Sequence, residues 1–278
     1  MKLGIRMHDT LLMPMEERFA HIHKLGFSCG HLALGKFCTD MNIGTEALTP
    51  GFAMYLRKLF AKNELDCAVL GCYLNPANPV KEQLEDIFDT YKAHIRFASY
   101  LGCGVVGTET GAPNAEYTYT EECRSEKALQ TLIDNLSVMV GYAEKMGAII
   151  GIEPVYSHIV SDPQRARAVL DRINSPNLQI ILDPVNLLGE DNAERADEVI
   201  EEAIRLLGKD VAVVHIKDYR IENGKVVSVG AGLGQMDYTS LMQFVKYRKP
   251  YIHVTLENTT PENCLFCKDY IENIYHSV

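Results

Sequence analysis

The sequence is poor in several features, and each lack closes off a class of protein. No apolar run in its 278 residues approaches the roughly 20 needed to cross a bilayer as a helix, so no membrane association is expected. Positive charge is in deficit, with 27 Lys and Arg against 37 Asp and Glu and a formal net charge of −10. A surface of that sign repels a phosphate backbone, so no nucleic-acid partner is expected. The N-terminus carries Lys2 and Arg6 but no apolar core followed by a small-residue cleavage site, which is not a secretory signal. The 8 cysteines are dispersed rather than crowded. Cys29, Cys67, Cys72 and Cys103 lie in or beside apolar stretches, where a thiol behaves as a small hydrophobe. Cys264 and Cys267 form a lone C-x-x-C with no second pair or histidine to complete a zinc site. A reduced, cytoplasmic protein is expected.

Familiar nucleotide and hydrolase signatures are missing as well. No G-x-x-x-x-G-K-[ST], H-E-x-x-H or G-x-S-x-G occurs. Gly102-Cys103-Gly104-Val105-Val106-Gly107 matches G-x-G-x-x-G, but it follows a helical segment and enters a strand. Dinucleotide binding needs the reverse order, strand then turn then helix. The run Gly230-Ala231-Gly232-Leu233-Gly234 reads as a flexible loop without the helix start of a phosphate cradle.

What is present is alternation. Short apolar, β-branched runs read as buried strands at 3–7, 31–34, 67–73, 104–108, 148–153, 179–183, 211–216 and 251–257. Segments with helical spacing fall at 16–25, 51–65, 80–101, 121–146, 162–173, 193–207, 238–247 and 261–275. Gly26, Gly102, Gly147 and Gly208 stand where a left-handed helix C-cap is wanted. The units average about 35 residues, a reasonable βα length. Strands this apolar are buried on both faces. With no Pro/Gly/Ser-rich linker to divide the chain, the pattern predicts one domain over 1–278, a (β/α)8 TIM barrel; an open doubly wound sheet is the alternative.

In such a barrel the chemistry gathers at the C-terminal strand ends. Glu153, Asp183, His215 and Glu257 close the fifth to eighth strands, four consecutive staves. Taken singly, each acid reads as a cap or loop acceptor, Asp183 before Pro184 as a turn former, and His215 as a core histidine. Taken together, three carboxylates and an imidazole at one rim repel unless a divalent cation neutralises them. Their mixed oxygen and nitrogen donors suit one ion per chain, Mn2+ first, with Mg2+, Co2+ or Zn2+ as alternatives. Arg6 and His8 end the first strand, His31 begins the second, and Asn75 and Glu109 follow the third and fourth. As a group they make a polar, partly cationic pocket suited to a polyhydroxylated substrate. Tyr73 and Phe37 are either apolar walls of that pocket or core. Lys217 and Asp218, just after His215, are expected to orient substrate or ligands.

The chain resembles the xylose-isomerase-like TIM barrels, the sugar phosphate isomerase/epimerase group, over nearly its whole length. The resemblance is carried by Gly151-Ile152-Glu153, Leu182-Asp183-Pro184-Val185-Asn186, His215-Ile216-Lys217-Asp218, Gly232-x-Gly234-x-x-Asp237-Tyr238 and Leu256-Glu257. It implies that Glu153, Asp183, His215 and Glu257 bind one divalent metal. Ketose 3-epimerases of the group have a histidine where this chain has Asn186, and an arginine where it has Ile221, with Arg220 one place earlier. Asn186 and Arg220 are therefore candidate substrate contacts, and His158, five residues after Glu153, is a candidate from the next loop.

The expected activity is that of a metal-dependent isomerase or epimerase of a small sugar, sugar phosphate or related polyol. The metal would hold a cis-enediolate, with Glu153 and Glu257 as the two proton-transfer groups. A dehydratase on the same fold, like inosose dehydratase, is the nearest alternative. An endonuclease IV-like repair enzyme and a non-catalytic sugar-binding barrel rank lower. The expected partner is a small-molecule carbohydrate, and the sequence leaves homo-oligomerisation open.

Overall fold

A computed structural model of the protein describes residues 1–39, 41 and 43–278. Its strands are β1 (Lys2–Arg6), β2 (Cys29–Leu32), β3 (Asp66–Gly71), β4 (Val105–Glu109), β5 (Ile149–Glu153), β6 (Leu178–Leu182), β7 (Val211–Ile216), β8 (Asp218–Glu222), β9 (Lys225–Val229) and β10 (His253–Leu256). Eight of them close into a parallel barrel in the order β1-β10-β7-β6-β5-β4-β3-β2. This is the TIM barrel that the alternation predicts. Around it lie α1 (Met15–Lys24), α2 (Leu34–Phe37), α3 (Pro50–Lys62), α4 (Lys81–Leu101), α5 (Glu126–Met146), α6 (Pro163–Ile173), α7 (Ala196–Leu207), α8 (Thr239–Arg248) and α9 (Cys264–Ser277). None of the described helices is long and apolar enough to cross a membrane.

The strands serve two apolar layers. Val106, Ile150, Ile152, Ile180, Leu182 and Val214 join the main core with the helices, whereas Cys29, Val69, Val105, Ile181 and Val213 form a separate small cluster. Gly107 and Gly151 belong with that second cluster for lack of room. A Cβ on Gly107 would come within 2.6 Å of Val69 Cγ1, and one on Gly151 within 2.8 Å of Val105 Cγ1.

Helix starts follow their capping residues. Thr49, Ser125 and Asp162 each accept a hydrogen bond from a backbone N–H of the first turn, and Pro50 and Pro163 open two of those helices. Ser125 also explains why the 121–146 segment divides. Residues 121–124 form a 3-10 turn, and the α-helix begins only after the cap. Gly102 and Gly147 are left-handed C-caps, with φ of 82° and 68°. Gly208 is not, because its φ of −53° carries α7 directly into a 3-10 turn. It is short of space rather than of conformational freedom, since a Cβ there would lie 3.0 Å from Phe244.

Three further boundaries differ from the sequence reading. The second strand runs over Cys29–Leu32 rather than 31–34, because Leu34 already begins α2. The last barrel strand starts at His253, since Tyr251 takes φ of 62° and ends the preceding turn. A β8–β9 hairpin, absent from the expected elements, stands outside the barrel after β7.

Phe37 is core rather than a pocket wall. It packs edge-on against Phe19 with centroids 5.6 Å apart, and Phe19 meets Phe60 at 4.8 Å. Phe19→Ala should therefore cost about 3–5 kcal/mol, read as a lowered urea midpoint at unchanged slope. A loss below about 1 kcal/mol would show that this corner of the core repacks freely.

Candidate active site

The register of the parallel strands brings the four rim residues together. Glu153 is the last residue of β5, His215 lies one residue before the end of β7, and Asp183 and Glu257 follow β6 and β10 directly. All four are buried. One ligand atom from each lies within 4.8 Å of those of the other three. His215 Nδ1 is 3.2 Å from Glu257 Oε1 and 3.4 Å from Glu153 Oε2.

Asp183 fills two roles. Its Oδ1 accepts from Val185 N at 3.0 Å and Asn186 N at 3.3 Å, shaping the turn after β6. Its Oδ2 faces the site, 2.9 Å from Lys217 Nζ. Lys217, two residues past His215, also lies 3.9 Å from Glu257 Oε2 and donates to Asn186 Oδ1 at 2.6 Å. Asn186 Nδ2 in turn donates to Glu153 Oε1 at 2.6 Å. This chain of contacts fixes Glu153 in orientation without using its second oxygen.

The electrostatics follow from three acids in a dry rim. Burial works against the charge on His215, but Glu257 and Glu153 outweigh it and raise its pKa to about 9. Burial pushes the Asp183 carboxyl up to about 6, against the pull of Lys217. Glu257 is held well below its usual range; burial opposes this, and His215, His31, Lys217 and Arg6 overcome it. Lys217 offsets one of the three carboxylates. Arg6 lies beside a second, 3.6 Å from Glu257, so the rim keeps a negative surplus when His215 is neutral, the form in which an imidazole can take a cation.

A cavity of about 450 Å³ opens above the site. Of the four rim residues only Glu153 and Glu257 line it; Asp183 and His215 lie behind them. Arg6, Glu109, Asn186 and Lys217 also line it. Arg6 Nη1 stands 3.6 Å from Glu257 Oε2 while its Nε donates to Asp9. Glu109 accepts from the Tyr117 hydroxyl at 3.1 Å, and burial together with Glu153 raises its pKa to about 7.

His8, His31 and Tyr73 line the cavity as well, whereas His158, Asn75, Asp218 and Arg220 fall outside its wall. His158 packs beside Glu109, Nδ1 to Oε2 3.8 Å, with its ring against Tyr117; burial lowers its pKa to about 4, so it is a neutral imidazole at pH 7. Asn75 is buried and ties two loops together, donating to Ala112 O and Asn114 O and accepting from Ala77 N and Ala112 N. Asp218 is also buried, accepting from Tyr219 N, Gly232 N and Met236 N. That clamp holds the glycine-rich segment in place, and a Cβ on Gly234 would meet Tyr219 O at 2.2 Å. Arg220 sits on the exposed hairpin and donates to Leu233 O. Cys264 and Cys267 are buried in the first turn of α9.

Sequence reading underweights two groups and overlooks two. His31 is buried, stacks on His215 at 5.1 Å, and faces Glu257 Oε1 from Nδ1 at 3.6 Å. The Tyr73 hydroxyl donates to Glu153 Oε2 at 3.4 Å. Both stand near strand ends, the signal that singled out the three acids and the histidine. Lys36 and His94 also line the cavity but come from helices, where periodicity gives no hint of a site.

Comparisons with known proteins agree with this architecture. Among solved structures, a D-tagatose 3-epimerase-like protein is 21% identical, with a TM-score of 0.76 over 100% of this chain and 98% of its own. A 3-keto-D-glucoside 4-epimerase from E. coli, in its apo form, is 14% identical with a TM-score of 0.76, covering 98% and 99%. The IOLI protein, solved with a bound zinc atom, is 18% identical with a TM-score of 0.73, covering 100% and 96%. At these identities the likeness is one of fold. No curated protein matches the chain by sequence. The model of the xylose isomerase-like TIM barrel family matches residues 19–267, and with the closed barrel described above the chain belongs to that family.

Proposed function

We propose that the protein is a divalent-metal-dependent isomerase or epimerase of a small hydroxy-carbonyl sugar, with Glu153 and Glu257 as the proton-transfer groups. The observation that carries this reading is the division of labour among the four rim residues. All four converge, yet only the two glutamates open onto the cavity. The donor set fits a metal. His215 Nδ1 faces Glu257 and Glu153 at 3.2 and 3.4 Å without a well-directed hydrogen bond, and with the imidazole neutral the three acids outnumber Lys217 and Arg6, a balance that suits a divalent cation. Glu153, Asp183, His215 and Glu257 would hold one ion, with oxygen-rich ligation suiting Mn2+ or Mg2+ and the imidazole admitting Zn2+ or Co2+. A divalent ion bound there polarises a sugar carbonyl and its neighbouring hydroxyl and so acidifies the adjoining C–H.

The chain's own residues supply the rest. Asn186 and Lys217 hold Glu153, and Arg6 holds Glu257, so each carboxylate meets the substrate from its own side of the rim. One takes the proton from carbon and the other returns it. Glu109, Asn186, Lys217 and Arg6 are placed to bind sugar hydroxyls, with His158 next to Glu109. Asn75, Asp218 and Arg220 act at one remove, through the loops they pin.

The test is a screen of aldoses, ketoses, inososes and their phosphates with added Mn2+, Mg2+, Co2+ or Zn2+ in D2O, read by NMR. A product with deuterium at one carbon is expected. Loss of water from the substrate would move the chain to the dehydratases, and product without deuterium would replace the two-base route with a hydride shift.

Metal affinity should also depend on pH with a definite sign. Below about pH 9 His215 holds a proton that a metal must displace, so affinity should fall about tenfold per unit as pH drops. Below about pH 6 Asp183 adds a second proton and the fall should steepen. Calorimetry in buffers of different ionisation enthalpy would count the released protons. Binding with none released near pH 7 would remove His215 from the ligand set.

A further inference from the structure

The end of the barrel away from Glu153 and Glu257 carries two free thiols on neighbouring strands. Cys67 lies near the start of β3, and Cys103 stands two residues before β4. Leu70 pairs with Val106 and Gly71 with Gly107, so three residues back from the Leu70 pair Cys67 and Cys103 stand level. Both side chains join the apolar layer between strands and helices. They also lean the same way, Cys67 Sγ donating to Val69 O at 3.7 Å and Cys103 Sγ to Val105 O at 3.3 Å. Cys29, on β2, belongs to the inner cluster instead, with its Sγ turned to Lys2 O.

The two sulfurs interact directly. A hydrogen bond from the Cys67 thiol holds Cys103 below its usual value, whereas burial and the same contact push Cys67 up. A cavity of about 500 Å³ opens beside them at this end of the barrel. Half-buried Cys67 lines it, as do Gly102 and Gly104 on either side of Cys103. Nothing lies within 4 Å of where a Cβ on Gly104 would stand, so a small oxidant has room to approach.

We infer that Cys67 and Cys103 form a reversible disulfide when the folded protein meets a hydroperoxide. The Cys103 thiolate attacks one peroxide oxygen, the O–O bond breaks, and the departing hydroxide takes up a proton to leave as water. Cys103 is then a sulfenic acid. The Cys67 sulfur attacks it, the S–S bond forms as the S–O bond breaks, and the hydroxyl leaves with the Cys67 proton as a second water. The two thiols lose two electrons and the peroxide gains them. This site lies apart from the proposed reaction and does not depend on it.

The experiment is peptide mapping of the full chain after exposure to hydrogen peroxide, with remaining thiols blocked by N-ethylmaleimide in denaturant and digestion without reductant. A cross-linked Cys67–Cys103 peptide pair, lighter by two hydrogens than its separate halves and lost on treatment with dithiothreitol, should be the dominant pairing. Cys67→Ser should abolish it and leave Cys103 as a sulfenic acid that dimedone traps. Cys103→Ala should abolish it too and leave Cys67 open to maleimide, which keeps the test decisive if the first variant folds poorly. Cys72→Ser, just beyond the other end of β3, should leave the cross-link intact.

Recovery of both cysteines as maleimide adducts after peroxide would overturn the inference. So would Cys103 driven to the sulfinic acid beside a free Cys67, a bond from either to Cys29, or the same bond forming as readily in urea.

Discussion

Glu153→Gln and Glu257→Gln should each lower turnover by about 10² to 10⁴-fold, the range of a positioned proton-transfer group, while in Glu257→Gln metal affinity falls far less. The asymmetry follows from what the amide keeps and loses. A glutamine retains a carbonyl oxygen for a cation but cannot take or return a proton. Glu153→Gln has an added feature, because Asn186 already donates to Oε1. The new amide must present its oxygen there, which turns its NH2 toward the Tyr73 hydroxyl and His215, so this variant should lose metal affinity together with turnover. If either variant kept wild-type turnover with full metal occupancy, that glutamate would be a ligand only. Single-turnover deuterium exchange at the reacting carbon would then show which partner still moves the proton.

Lys217→Met should destabilise the metal-free protein by about 3–5 kcal/mol, the usual cost of removing one partner from a buried charge pair. For a chain of this size that is a drop on the order of 10 °C in melting temperature. Lys217 is buried and supplies the positive charge beside Asp183, with Glu257 within reach. Burial disfavours its ammonium, yet Asp183, Glu257 and Glu153 raise its pKa above the ordinary value. Without it the three carboxylates have a larger surplus charge, which a divalent cation can offset. Melting curves with EDTA and with excess Mn2+ or Mg2+ should therefore differ more for the variant than for the wild type. Equal shifts in both proteins would mean that Lys217 does not share a charge balance with the proposed metal position.

Much of this molecule was legible from the order of its residues. The period of the strands and helices determined the barrel, because apolar β-branched runs separated by amphipathic segments have few other ways to bury both strand faces. The strand-end position also marked Glu153, Asp183, His215 and Glu257 as neighbours, since a parallel barrel gathers those ends at one rim. Tertiary structure decided what sequence spacing does not encode. His31 and His215 lie far apart in the chain and stack only because the barrel closes. Lys217 and Asp218 are adjacent in sequence, but the chain leaves β7 there and sends one side chain to Asp183 and the other to backbone amides of the glycine-rich segment after the hairpin. The hairpin is different, because Asn223-Gly224, with φ of 52° and 77°, between segments rich in β-branched residues is a hairpin signal that the sequence itself carries. Hydrophobic periodicity records which residues must leave water, and it carries no information on which polar groups then meet.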